Sequence, residues 1–188
     1  MDLLPPEIII HTLKYLSLAD LVRAERTCKS MQAFCHWEIE HRITTGPLKN
    51  DWGVLVHLDQ ANATATHFDT KTRQVTYKIE MEKPIQIKTM FDHRRQIQCS
   101  LLRRNQYRED FVFTVEKGIS EGATIPVAAS GADLCKVNGA LTRVSPINHS
   151  SNDDNGAYDK KRLLAPSPLV YSLQLTQMQI PLSTIAAQ

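Results

Sequence analysis

Cys28, Cys35, His36 and His41 fall within 14 residues and are residue types that hold zinc. Zinc-binding sequences bring ligands in pairs about two to four residues apart, with a second pair further along. This cluster is not arranged that way. Cys28 and Cys35 instead fit an apolar helical stripe and read as core cysteines. A nucleophilic cysteine needs a neighbouring base or cation to lower its pKa. Cys99 occupies an inward position of an alternating stretch, and Cys135 lies among Asp133, Leu134 and Lys136. Nothing in the sequence around either would activate it. No Gly-rich phosphate loop, H-E-x-x-H or G-x-S-x-G occurs. The expectation is a chain with no catalytic residue, no metal and no cofactor.

A second kind of chemistry is anion binding. Residues 83–108 hold seven lysines and arginines against one acid, Asp92. Arginine forks grip phosphate and carboxylate in two-point fashion. Arg94, Arg95, Arg103 and Arg104 are therefore candidates for binding an acidic or phosphorylated substrate segment. The simpler alternative is a solvated strand edge, where basic side chains discourage aggregation.

The elements that must position these residues follow two periods. Residues 3–44 read as helices. Pro5 and Pro6 suit a first helical turn, whose N–H groups lack intrahelical partners. Ile9, Leu13 and Leu16 share one face, and residues 17–20 offer capping side chains at a break. A second helix follows, with Leu21, Ala24, Cys28, Met31 and Cys35 as its stripe. A third short piece spans 37–43. From about residue 52 the period becomes two. Alternating stretches at 54–58, 75–82, 85–88, 97–101 and 111–115 predict half-buried strands, with turns at 69–73 and 82–84. Their short connections favour antiparallel pairing. Residues 117–168 lose the pattern and predict a long irregular or partly disordered insert. A last strand covers 170–180, and its alternation slips at Gln177, which predicts a bulge or an end.

Composition bounds the rest. The chain has 188 residues, room for one small module and one domain. Apolar residues make up 42% and the net charge is +2, a globular composition too balanced to argue for nucleic acid by itself. No apolar run reaches the roughly 18 residues that suggest a membrane span, and MDLLPPE does not read as a signal peptide. A reducing setting, cytoplasmic or nuclear, is expected.

Leu3, Leu4, Ile8, Ile9, Ile10, Leu13, Leu16, Leu18 and Leu21 crowd into 19 residues. Isoleucines at three successive positions cover more than one face, so this helix must be buried on several sides, by the sheet or by a partner. Leu4-Pro5-Pro6-Glu7-Ile8, then Leu13 and Leu16, then Asp20-Leu21, then Cys28-Lys29, resembles the F-box motif. That motif runs L-P-x-E-[LI], two further leucines, a D-L pair and a V-C-K-x-W ending. Thr12 and Thr27 stand where an aliphatic is usual, and Met31 where tryptophan is. The resemblance implies a three-helix F-box at 1–45 that binds a Skp-type adaptor, and through it a cullin and a RING subunit. It implies docking roles for Leu4, Pro5, Ile8, Ile9, Leu13, Leu16, Leu21 and Cys28. It implies a substrate-recognition subunit of an SCF-type ubiquitin ligase that performs no bond chemistry itself. The expected architecture is α+β: the F-box, an antiparallel β-rich substrate-side region at 46–116, the irregular insert at 117–168, and a terminal strand and tail at 169–188. Two other functions fit the residues. One is an F-box scaffold that delivers nothing for degradation. The other is a small anion- or nucleic-acid-binding β domain with a helical cap.

Overall fold

The computed structural model describes residues 4–56, 59–89, 95–103, 106–115, 119–131, 134–144 and 169–187, with the backbone alone for 89, 95 and 106–115. Three helices come first. α1 (Pro6–Leu13) opens on Pro5 and Pro6, with Glu7 favourably placed in its positive first turn. α2 (Leu18–Ala24) is capped by Ser17, whose Oγ accepts from the Asp20 amide at 3.1 Å. α3 (Lys29–Thr44) is capped more weakly, by the Cys28 Sγ accepting from the Met31 amide at 3.4 Å.

The expected boundary between a second and third helix falls elsewhere. The chain breaks at 25–28 and then runs as one helix through 37–43. The apolar stripe kept its helical spacing straight across this turn, and no glycine or proline marks it. Cys28 is correspondingly exposed, whereas Cys35 is buried with Ile39 and Ile43 along one face of α3. A 3-10 turn (Pro47–Asn50) then leads to the sheet. Gly46 allows that exit, because a Cβ there would sit 2.5 Å from the Arg42 carbonyl oxygen.

Among the described residues that follow, nine strands form one antiparallel sheet: β1 (Trp52–Val56), β2 (Asp59–Asp69), β3 (Gln74–Glu80), β4 (Ile85–Thr89), β5 (Arg95–Arg103), β6 (Gln106–Val115), β7 (Thr124–Ser130), β8 (Lys136–Val144) and β9 (Leu169–Pro181). The spatial order is β6-β5-β1-β2-β3-β9-β8-β7, and β4 pairs with β9 beyond the end of β3. A five-residue helix, α4 (Leu182–Ala186), follows and packs its Leu182 and Ile185 inward. The α+β architecture is as the sequence predicts: helices first, then an antiparallel sheet.

Two parts of the sheet differ from expectation. β2 carries small alternating residues, Ala61, Ala63 and Ala65, which face the core. Alanine is a poor strand former, so the stretch gives little strand signal. Within 117–168, expected to be irregular, residues 124–130 and 136–144 form the ladder β7–β8, joined by a tight turn in which Leu134 has φ 61°. Their inward residues are mostly small (Val127, Ala129, Val137, with Leu141 the exception), and Gly139 interrupts β8. The rest of that insert, 145–168, lies outside the described residues.

Two bulges reset the inward phase. Thr66 is the extra residue of β2, between Ala65 opposite Tyr77 and His67 opposite Thr76, so burial passes from Ala65 to Phe68. Thr176 is the extra residue of β9, between Leu175 opposite Gly139 and Gln177 opposite Asn138. This is where the alternation of the last strand predicts a slip. The 69–73 turn is built as expected: Asp69 Oδ1 accepts from the Lys71 amide at 2.8 Å, and Arg73 adopts φ 57°. The core is continuous from Leu13, Leu21, Cys35, Ile39 and Ile43 of the helices to Phe68, Tyr77, Leu141, Leu173 and Ile180 of the sheet.

Candidate functional site

The residues with the strongest motif signal lie on α1–α3, and their burial divides them. Leu4 (58% exposed), Pro5 and Ile8 (50% exposed) present themselves to solvent at the start of α1. Ile9 and Leu16 are half-buried against the core. Leu13 and Leu21 are buried and hold the helices together from inside. Cys28 is exposed at the cap of α3. Of these eight, then, Leu4, Pro5, Ile8 and Cys28 are exposed, Ile9 and Leu16 are half-buried, and Leu13 and Leu21 are interior. Sequence reasoning gave no docking role to Tyr15 (79% exposed) and Trp37 (49% exposed). Tyr15 meets His11 edge-on at 5.4 Å, and Trp37 stacks on His41 at 5.4 Å. Among the described residues, five large hydrophobics are exposed, and four of them are Leu4, Ile8, Tyr15 and Trp37. All four stand on the surface of the helical part, between 4 and 37.

A polar clasp fixes that surface. Arg42 of α3 reaches the end of α1 and the turn after it: Nη2 donates to the Leu13 carbonyl at 2.8 Å, which also accepts from the Leu16 amide, and Nη1 donates to the Leu16 carbonyl at 2.6 Å. Its Nε donates to Glu38 Oε1 at 2.7 Å, and Glu38 is buried. A second clasp ties the helices to the sheet. The buried Glu25, at the end of α2, pairs with Arg73 in the β2–β3 turn at 2.5 Å and lies 3.3 Å from His36 of α3. His36 in turn meets Phe68 of β2 edge-on at 6.1 Å.

Of the four candidate anion residues, the described part of the structure holds the backbone of Arg95 and the whole of Arg103. Arg95 and Arg103 stand at opposite ends of β5, about 26 Å apart along an extended strand. Arg94 and Arg104 lie outside the described residues. Arg103 is buried; its Nε donates to Asp51 at 2.7 Å and its guanidinium stacks 5.2 Å from the Trp52 ring. Tyr77 lies near this pair, and burial raises its hydroxyl pKa first, with Asp51 adding and Arg103 opposing.

The thiols show how little activation they receive. Burial pushes Cys99 up to about 12. Cys35 is raised by burial, then by Glu25 and Cys28. Both remain thiols at neutral pH and are held as apolar filling. Among the described residues, no group of three or more histidine, cysteine, aspartate and glutamate side chains is placed to hold a metal. Among them also, no helix is long and apolar enough to cross a membrane.

Residues 1–42 match the family model described as F-box-like, which covers α1, α2 and most of α3. The chain thus carries an F-box-like domain at its N-terminal end, as its motif implies. No curated protein and no solved structure gives a significant match.

Proposed function

We propose that this chain is a non-catalytic substrate-recognition subunit of an SCF-type ubiquitin ligase, docked through residues 1–42 onto a Skp-type adaptor. The observation that carries this reading is the coincidence of the F-box-like match with the exposed Leu4, Ile8, Tyr15 and Trp37. A soluble domain has little reason to leave such side chains in water unless a partner covers them. The mechanism is positioning. The helices hold the adaptor, the sheet holds the substrate, and a substrate lysine is kept at high local concentration near a charged ubiquitin-conjugating enzyme. The Glu25–Arg73 pair supports this division of labour, because it joins the two parts by a buried contact rather than a free linker. The β sheet is then the substrate side, and the cytoplasm or nucleus is where such a ligase works.

Calorimetric titration of a purified Skp-type adaptor into the full chain tests the proposal. Submicromolar binding, better than about −8 kcal/mol, is expected. Leu4→Ala with Ile8→Ala should weaken it by at least about 2 kcal/mol, because both side chains are exposed and their truncation leaves the fold intact. A folded chain that gives no heat and no complex would end the proposal.

A further inference from the structure

The sheet is broken between β3 and β4. Lys78 of β3 pairs with Gln177 of β9, and pairing resumes only at Ile85 of β4 opposite Leu173. On its other side β3 follows β2 only as far as Glu80 opposite Asn62, although β2 begins at Asp59. The chain between these points opens a cleft of about 870 Å3, within the range of about 300–1,000 Å3 typical of binding sites. Ile79, Met81 and Leu175 line it from inside, and the exposed Asp59, Glu82 and Lys83 stand at its rim.

Two strand edges border this cleft with no strand beside them among the described residues. One is 59–61 of β2, which pairs there with β1 alone; the other is β4, which pairs with β9 alone. The Leu175 amide points to the same side and finds no carbonyl. Its acceptor is the Met81 thioether at 3.2 Å, a weak substitute. Backbone groups alternate between the two edges of a strand. Leu173 and Tyr171 therefore point as Leu175 does and serve Ile85 and Ile87, and the Gln86 N–H between those two points away from β9.

Open strand edges are completed by extended backbone. Charge narrows the occupant further. Three carboxylates (Asp59, Glu80, Glu82) line the cleft against Lys78 and Lys83, and Lys78 already lies 3.6 Å from Glu80. We propose that this cleft binds a short extended segment of another protein, added as a strand along β4. Its apolar side chains meet the half-buried Met81 and the exposed Pro84, and a basic side chain meets the acidic rim. Calling that partner a substrate rests on the ligase reading; the binding itself does not. The cleft also lies at the far end of β2 from the helices, which meet that strand at His67 and Phe68, roughly 20–30 Å away.

The test is to pan a phage-displayed library of random linear peptides on the full chain and to titrate the enriched sequences by fluorescence polarisation. Expected are peptides with alternating apolar residues and a lysine or arginine. Gln86→Pro removes the outward N–H while sparing the β4–β9 ladder, a position where edge strands accept proline. It should weaken these peptides about tenfold or more, with Tm and adaptor binding unchanged. Should Gln86→Pro unfold the chain, Glu82→Lys, at an exposed position, decides by selectively weakening the basic peptides. No enrichment on the wild-type chain, or peptides that bind both variants as tightly as wild type, would overturn the proposal. Peptide binding without adaptor binding would remove the ligase role and leave the cleft; the reverse would remove the cleft alone.

Discussion

Four cysteines illustrate how far a residue type alone informs. Cys28 and Cys35 share one stripe in the sequence, but Cys28 caps α3 in the open while Cys35 packs in the core. Exposure and pKa then predict reactivity. Iodoacetamide at neutral pH should label Cys28 first, and Cys35 and Cys99 only on unfolding, as peptide mass mapping would show. The same shift predicts a pH dependence. The Cys99 thiol of an unfolded chain ionises near 9.0, whereas folding holds it neutral to about 12. An acid whose folded pKa is raised favours the folded state below the unfolded value and loses that advantage as pH climbs. Stability should therefore fall between pH 9 and 12 in part through Cys99, and Cys99→Ala should flatten that decline. Arginine proved harder to read. Arg103 looked like a surface cation, and nothing in a one-dimensional pattern reveals that Asp51, 52 residues away, would meet it in the interior.

At the scale of the element, periodicity carried most of the information where side chains are large. β3, β5 and β9 announce themselves through Val75, Tyr77 and Ile79, through Ile97 and Cys99, and through Tyr171 and Leu173. β2, β7 and β8 are hidden because most of their inward residues are alanine and valine, with Phe68 and Leu141 the large exceptions. The α2–α3 turn is hidden because Cys28 is an unusual cap. The polar part of the α1–α3 contact was also invisible, since it runs from Arg42 to backbone carbonyls. Arg42→Ala leaves the buried Glu38 without its partner and removes both bonds to the chain at 13–16. Urea denaturation should show a loss of about 3 kcal/mol, and Arg42→Lys, which lacks the fork, should recover only part of it. The motif around Leu4 and Ile8 was legible at once, but which of its leucines face outward was not, because burial depends on the sheet beneath.

At the scale of the molecule, the described helices and strands share one core. Leu13, Leu21 and Ile39 belong to the same core as Val75 and Ile180, and Glu25 is neutralised by Arg73 from the sheet. A peptide of residues 1–46 should thus be mostly unstructured by far-UV circular dichroism, gaining helix only when a Skp-type adaptor is added. A strongly helical free peptide would show that the sheet is dispensable to the F-box-like part. The coupling also bears on how the chain presents a cargo. The Glu25–Arg73 pair and the α3–β2 packing tie the orientation of the cleft to that of the helices.

The placement of β9 has a consequence for biosynthesis. This strand lies between β3 and β8, so the segment at 177–181 completes a pairing that 74–78 began some hundred residues earlier. While the ribosome is still short of residue 169, β3 displays a raw edge and the interior lacks Tyr171, Leu173, Leu175, Met178 and Ile180. Nascent chains in that window are open to misassociation.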